Sequence, residues 1–140
     1  MNDVTYRLAK TLMKDKVVIF WFRRDLRLYD NKGLSKALQS GFKVLPIFIF
    51  DKDILDALPK DDARVNFIYD SLKEIDEKLK EFRSSLLALN GKPYEVWQEL
   101  IEAYEIVGVY SNHDYEPYAI QRDTQIQSFL TSKKISFHSL

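Results

Sequence analysis

Short apolar segments that alternate with helix-like segments constrain the fold of this chain most. Four of them are predicted to be buried strands, and a fifth strand is predicted from about Lys134; the four cover residues 17–22, 43–50, 85–90 and 106–111. Uninterrupted apolar runs are typical of strands that are covered on both faces of a parallel sheet. Alternating strands and helices build such sheets through right-handed crossovers. We therefore predict an α/β fold: a Rossmann-like (flavodoxin-like), doubly wound parallel sheet of five strands in three α/β/α layers.

Apolar periodicity and capping residues predict the helices between these strands. The longest covers about residues 62–82, where apolar residues step by three and four along a single stripe. The other helices are predicted to begin at Asp30 or Asn31, at Pro93 and at about Tyr118. Residues 51–60 are predicted to form a polar connector. Pro46 cannot donate to a sheet, so we expect it at an edge position or a bulge.

The composition excludes several functional classes. A chain of 140 residues with 46% hydrophobic residues corresponds to one domain with a full core. Its 21 basic and 21 acidic residues give a net charge of zero, which argues against a free-standing nucleic-acid binder. The absence of cysteine excludes disulfides and thiolate metal sites and suits a cytoplasmic location, which we predict. With only two histidines, we predict no metal site.

The two ends of the chain suggest its domain organisation. Residues 1–16 are predicted to be an amino-terminal extension, and residues 17–140 a single α/β domain. The chain contains neither a signal-peptide core nor an apolar run near the roughly 20 residues that span a bilayer, so we predict no membrane partner. The fifth strand has barely begun when the sequence stops, and we therefore expect an amino-terminal domain of something longer.

Glycine-rich phosphate loops and nucleophile motifs are missing. The four glycines match neither G-x-G-x-x-G nor G-x-x-x-x-G-K-[ST], so the chain is a poor candidate for NAD or ATP binding. No G-x-S-x-G elbow or Cys/His pair occurs either. We therefore predict no catalytic residues in this chain and expect it to be inactive by itself.

Charged residues follow the first predicted strand directly. Arg23, Arg24 and Arg27 lie where that strand ends, and in a doubly wound sheet this end faces the ligand crevice. Guanidinium groups there could bind carbonyl, phosphate or carboxylate oxygens. Alternatively, Asp25 and Asp30 neutralise them in a structural ion-pair cluster.

Three further places are predicted to open on the same crevice. In the loop after the fourth strand, Asp114 and Glu116 could accept hydrogen bonds from a ligand, or form a solvated acidic turn. Phe48 could support a flat ring, although an aromatic residue in a buried strand is usually core. Arg64, at the start of the long helix, points over the crevice or into water. Together these residues predict a shared opening suited to a planar ligand with polar edges.

Several of these segments resemble one known family. The motifs FWFRRDLRLYDN, PIFIFD, DARVNFIYDSL, NGKP and NHDYEPYAIQRD occur in the order and spacing of the DNA photolyase and cryptochrome family. The resemblance runs from about Val17 to the end of the chain. It implies the amino-terminal α/β domain of a deoxyribodipyrimidine photolyase, which repairs cyclobutane pyrimidine dimers with blue light. The alternatives are the same domain of a cryptochrome-type photoreceptor, or an unrelated nucleotide-binding α/β domain.

The resemblance also implies cofactors and partners. In this family the α/β domain holds an antenna chromophore, while a larger carboxyl-terminal helical domain binds FAD and contacts UV-damaged DNA. Its own helical FAD domain, and UV-damaged DNA through the full-length protein, are thus the implied partners. Without the helical domain, an exposed apolar patch could drive the chain to form a homodimer.

The resemblance also indicates which type of chromophore the domain would bind. Folate-type members carry an Asn-Glu pair where this chain has Tyr118 and Ala119, so a deazaflavin or flavin is implied in preference to methenyltetrahydrofolate. Some family members leave this pocket empty. By similarity to deazaflavin-type members, the implied cofactor-binding residues are Arg24, Phe48, Arg64, Asp114 and Glu116.

Overall fold

The structure, a computed structural model, describes residues 14–140 and contains one five-stranded parallel sheet with helices on both faces. Residues 1–13 of the predicted amino-terminal extension lie outside the described part. The strands are β1 (Lys16–Phe22), β2 (Lys43–Asp51), β3 (Leu87–Gly91), β4 (Glu105–Ser111) and β5 (Ser136–Ser139). The helices are α1 (Lys32–Leu38), α2 (Lys52–Leu55), α3 (Ala63–Glu81), α4 (Pro93–Ala103) and α5 (Pro117–Ser132).

The strand order determines where a ligand crevice forms. The sheet runs β3-β2-β1-β4-β5, and every neighbouring pair is parallel. This is the Rossmann order 3-2-1-4-5-6 without the sixth strand, whereas flavodoxin-like sheets have the order 2-1-3-4-5. The predicted five-stranded, doubly wound parallel sheet is confirmed, and Rossmann-like describes its order. The winding direction changes between β1 and β4, so the crevice opens at their carboxyl ends.

The sheet separates two apolar layers, because successive side chains of a strand point to opposite faces. On one face, Trp21 of β1 packs against Trp97 of α4 with ring centroids 5.4 Å apart, and Ile126 and Leu130 of α5 complete that layer. The other layer lies under α1 and α3 and contains Val18, Phe20, Phe22, Leu34, Ala37, Phe48, Phe50, Leu72 and Ile75. Both faces of β1 are therefore buried, which explains its uninterrupted apolar sequence.

Pro46 of β2 and the segment after β2 were both addressed by the sequence predictions. Pro46 pairs with Phe20 of β1, while pairing with β3 begins only at Ile47, so β2 is an edge at the proline, as predicted. The predicted connector at 51–60 begins with α2, a single turn that the sequence analysis missed. The Asp51 side chain caps this turn by accepting a hydrogen bond from the backbone N–H of Asp53 at 3.0 Å.

Within residues 14–140, every helix is too short or too polar to cross a bilayer.

Candidate functional site

A cavity of about 450 Å³ opens at the switch point between β1 and β4. Its volume falls in the range of small-molecule sites. One wall is the segment that follows β1, and the other is the segment that follows β4. The lining residues are Arg23, Arg24, Asp25, Asn112, His113, Asp114, Tyr115 and Glu116. The lining is thus dominated by charged and hydrogen-bonding side chains from two loops.

Arg24 lies between two carboxylates at the rim of this cavity. Its Nη1 is 3.0 Å from Oε1 of Glu116 and 3.6 Å from Oδ1 of Asp114. The side chains of Arg24 and Glu116 are 70% and 62% exposed, whereas that of Asp114 is 11% exposed. The structure therefore brings three predicted site residues together in a position that a ligand can reach.

Arg23 has a different environment from Arg24, although the two are adjacent in sequence. Its buried guanidinium forms an ion pair with Asp123 of α5 and donates a hydrogen bond to the backbone carbonyl of Asn112. It also lies over the ring of Trp21, 5.2 Å from the centroid. Arg23 therefore belongs to a structural ion pair and is not free to bind a ligand, and its partner is Asp123.

Asp25 and Asp30, the two acidic residues predicted to neutralise the arginines, make other contacts. Asp25 accepts a hydrogen bond from the backbone N–H of Arg23 at 3.1 Å. Arg27 donates from Nε to the backbone carbonyl of Asp30 at 3.1 Å, not to its carboxylate. The predicted cluster of arginines neutralised by Asp25 and Asp30 is therefore wrong in its pairing.

Asn112, the first residue after β4, joins the two walls of the cavity. Its Oδ1 accepts a hydrogen bond from the backbone N–H of Gly33 at 2.7 Å. Its Nδ2 donates to Asp25 and, at 2.8 Å, to Oδ1 of Asn31, the residue that caps α1. The sequence analysis missed this residue. The signal for it is a single amide side chain placed directly after a buried strand at the switch point.

The structure does not bring Phe48 and Arg64 to the lining of this cavity. Phe48 is 7% exposed and packs edge to face against Phe50, with ring centroids 4.9 Å apart. Arg64 donates to the carboxylate of Asp62, the N-cap of α3, from Nε at 3.0 Å and from Nη2 at 2.6 Å. Hydrogen bonds from the side chain and backbone N–H of Arg64 lower the pKa of Asp62 to about 2.

A second cavity, of about 360 Å³, lies beside Tyr118 at the start of α5. The Tyr118 hydroxyl donates a hydrogen bond to Oδ2 of Asp51 at 2.6 Å, which connects α5 to the end of β2. Desolvation by burial and this hydrogen bond both raise the pKa of the Tyr118 phenol. The Arg122 guanidinium lies 5.9 Å from the Tyr118 ring centroid and 5.0 Å from that of Trp21.

The switch-point cavity has the chemistry of a binding site. Its eight lining residues include two arginines, one asparagine and three carboxylates, which carry hydrogen-bond donors and acceptors. Across residues 14–140, histidine, aspartate and glutamate side chains form no cluster of three that could hold a metal ion. The cavity instead offers fixed donors and acceptors to the edge of a bound molecule.

Comparison with known proteins identifies the family. The sequence model of the DNA photolyase family matches residues 18–140. A deoxyribodipyrimidine photo-lyase from Synechococcus is 35% identical over 118 residues, which cover 84% of this chain and 24% of the relative. Cryptochrome-1 of Drosophila melanogaster is 33% identical over 125 residues, covering 85% of this chain and 23% of its own.

A solved structure gives the same result for the fold. The photolyase from Sulfolobus tokodaii superimposes with a TM-score of 0.80 at 36% identity, over 89% of this chain and 28% of that protein. This chain thus spans about a quarter of the length of each of these three relatives. Its matched region corresponds to their amino-terminal Rossmann-like domain. The chain belongs to the DNA photolyase and cryptochrome family.

Proposed function

We propose that this chain is the antenna-chromophore-binding domain of a DNA photolyase that repairs cyclobutane pyrimidine dimers with blue light. The observation that carries the proposal is Arg24 held between Asp114 and Glu116 at the rim of the switch-point cavity. An antenna passes excitation to a flavin and needs a fixed position and orientation, which hydrogen-bonding side chains from two loops could provide.

The proposed chromophore is a deazaflavin or a flavin. Such rings carry carbonyl oxygens that a guanidinium can bind and N–H or hydroxyl groups that carboxylates can accept. Tyr118 and Ala119 replace the Asn-Glu pair of folate-type members, which argues against methenyltetrahydrofolate. The S. tokodaii photolyase, which contains two FAD molecules with a novel light-harvesting cofactor implied, supports a flavin.

The five proposed binding residues have different roles in this proposal. Arg24, Asp114 and Glu116 contact the edge of the chromophore directly. Arg64, whose side chain is 70% exposed, reaches the ligand only after exchanging its bond to Asp62. Phe48, buried in the apolar layer under α1 and α3, reaches a chromophore only if its side chain changes conformation.

The activity of the whole protein is part of the same proposal. We propose that a helical FAD domain completes the enzyme, a deoxyribodipyrimidine photo-lyase, and contacts the damaged DNA, while this chain alone is inactive. The roughly fourfold greater length of the relatives supports this arrangement. The exposed aromatic side chains of Phe67 and Phe82 support an apolar contact with that domain, or with a second copy of the chain when the domain is absent.

A cryptochrome-type photoreceptor is the second candidate, and the match to Drosophila Cryptochrome-1 favours it. Both candidates use the same amino-terminal domain. A repair assay on the full-length protein separates them, because a photolyase splits thymine dimers back to thymines under blue light and a photoreceptor does not.

Chromophore titration tests the binding role directly. The purified chain is titrated with a deazaflavin, FMN and methenyltetrahydrofolate, and binding is followed by fluorescence quenching. We expect Arg24→Gln to weaken deazaflavin or FMN binding at least tenfold. The matched control is Arg83→Gln, which removes the same charge in the loop that leads into the amino end of β3, whereas the cavity lies at the carboxyl ends of β1 and β4. A colourless wild-type chain that binds none of the three chromophores would refute the proposal.

A further inference from the structure

The ion pairs of Arg24 cannot by themselves hold the two walls of the cavity at a fixed distance. Arg24 and Glu116 are both mostly exposed to water. Exposed pairs of this kind contribute little to stability, because solvent screens them and long side chains lose conformational freedom. The spacing between the loop after β1 and the loop after β4 must therefore be set by other contacts.

Asn112 makes those contacts, and both polar ends of its side chain are used. Its Oδ1 accepts from Gly33, and its Nδ2 donates to Asp25 and to the buried Asn31. Asn31 in turn accepts from the backbone N–H of Leu34 at 3.0 Å, so α1 is part of the same network. One side chain thus connects the segment that carries Arg24 to the segment that carries both rim carboxylates.

Gly33 makes this connection sterically possible. A Cβ at this position would lie 2.9 Å from Oδ1 of Asn112, 2.9 Å from the Phe20 ring and 3.0 Å from the carbonyl carbon of Ser111. These separations are shorter than normal van der Waals contacts. The close approach of α1 to the end of β4 therefore requires glycine, and the amide of Asn112 occupies the position next to it.

We propose that Asn112 is a positioning residue that sets the distance between Arg24 and the carboxylates of Asp114 and Glu116. It does not itself contact the chromophore in this proposal, and its effect on affinity rests on the proposed function. Replacing its amide donor should change the separation of the two loops without substituting Arg24, Asp114 or Glu116.

Asn112→Asp is the diagnostic substitution. It keeps the acceptor for Gly33 but places a second carboxylate against Asp25 and against Oδ1 of Asn31. We expect the Kd for FMN or a deazaflavin to rise at least tenfold. The double variant N112D/D25N reverses donor and acceptor between the two residues and restores the wild-type net charge. It leaves the carboxylate at position 112 against Oδ1 of Asn31, so we expect it to recover part of the lost affinity.

A matched control separates positioning from loss of stability. Ile126→Val weakens the apolar layer on the face of the sheet covered by α4 and α5, and it should leave the Kd unchanged. All variants are compared at a temperature where circular dichroism shows each to be folded. If N112D does not fold, Asn112→Ser replaces it, since the shorter serine side chain loses the contacts to Asp25 and Asn31 without adding a charge.

The unliganded chain provides a readout that does not depend on the chromophore. In N112D, we expect faster hydrogen exchange at the Leu34 amide, because its acceptor Asn31 then faces a carboxylate, and a changed side-chain Nε signal of Arg24 in NMR spectra. If these changes occur but wild type binds no chromophore, the positioning role stands and the proposed function fails. If wild type binds and N112D binds equally well, or D25N gives no rescue, the positioning role is overturned.

Discussion

Removing the charge of Asp123 should destabilise the fold strongly, because this carboxylate neutralises buried cations. Arg23 pairs with it, and Nε of Arg122 lies 3.3 Å from its Oδ1. The side chains of Arg23, Arg122 and Asp123 are 4%, 11% and 13% exposed. In Asp123→Asn, the shape of the side chain is preserved while the arginines lose their only anionic partner among the described contacts.

The expected magnitude follows from this burial. Breaking one side of a buried ion pair costs about 3–5 kcal/mol, because the remaining charge stays desolvated. For a domain of this size, 1 kcal/mol corresponds to roughly 3–5 °C in melting temperature, so D123N should melt about 10–20 °C below wild type. Urea unfolding, followed by far-UV circular dichroism and by Trp fluorescence, measures the free energy of unfolding.

Lys80→Gln is the control for this experiment. It removes an exposed pair with Asp76, in which Nζ and Oδ2 are 3.1 Å apart, and should cost under about 1 kcal/mol. A loss for D123N as small as that for K80Q would refute the reasoning. It would show that solvent reaches the Arg23 pair and screens it.

Three further predictions concern single positions. Gly33→Ala should lower the free energy of unfolding by about 1–3 kcal/mol, because the added methyl group overpacks α1 against β4; urea unfolding measures this loss. Tyr118 should ionise above pH 10.0, the ordinary pKa of a tyrosine, in a spectrophotometric pH titration, since burial and the hydrogen bond to Asp51 raise its pKa. Arg64→Gln should raise the pKa of Asp62 from about 2 toward its ordinary value, as measured by carboxyl carbon shifts in NMR.

These predictions have distinct controls and contrary outcomes. Gly41→Ala adds a methyl group in open space, although its positive φ of 83° still causes backbone strain; a loss from G33A no larger than from G41A would contradict the packing argument. Tyr118→Phe should remove one late-ionising phenol from the titration. The raised pKa of Tyr118 stabilises the fold below pH 10, and this contribution is lost as the pH rises further. An Asp62 pKa that R64Q leaves unchanged would show that the cap alone sets it.

Much of the fold could be predicted because apolar burial leaves a direct signature in sequence. Both faces of β1 and β2 are covered, and their boundaries differ from the predicted ones by a single residue. The long stripe of α3 was recognised for the same reason. The turn α2 was missed because four residues are too few to show a helical period. The strand order was not predicted, since it depends on which strands pair across large sequence separations.

The candidate site was predicted less completely, because side-chain pairing is decided by three-dimensional proximity. Position after a strand was enough to predict that Arg24, Asp114 and Glu116 would meet. The same rule could not separate Arg24 from its neighbour Arg23, whose partner Asp123 is 100 positions away. The ion pair of Arg64 could have been predicted from local sequence, since Asp62, the N-cap residue two positions earlier, is within reach of its side chain.

The central position of β1 has a consequence for synthesis on the ribosome. Its Lys16 pairs with Glu105 of β4. Arg23, directly after β1, forms its ion pair with Asp123, which is 100 residues later in the chain. At translation rates of about 5–20 residues per second, the nascent strand is without these neighbours for roughly 5–20 s. The apolar face that α4 and α5 later cover is then open to chaperones or to other nascent chains, so the yield of folded protein should depend on how quickly the region up to α5 is translated.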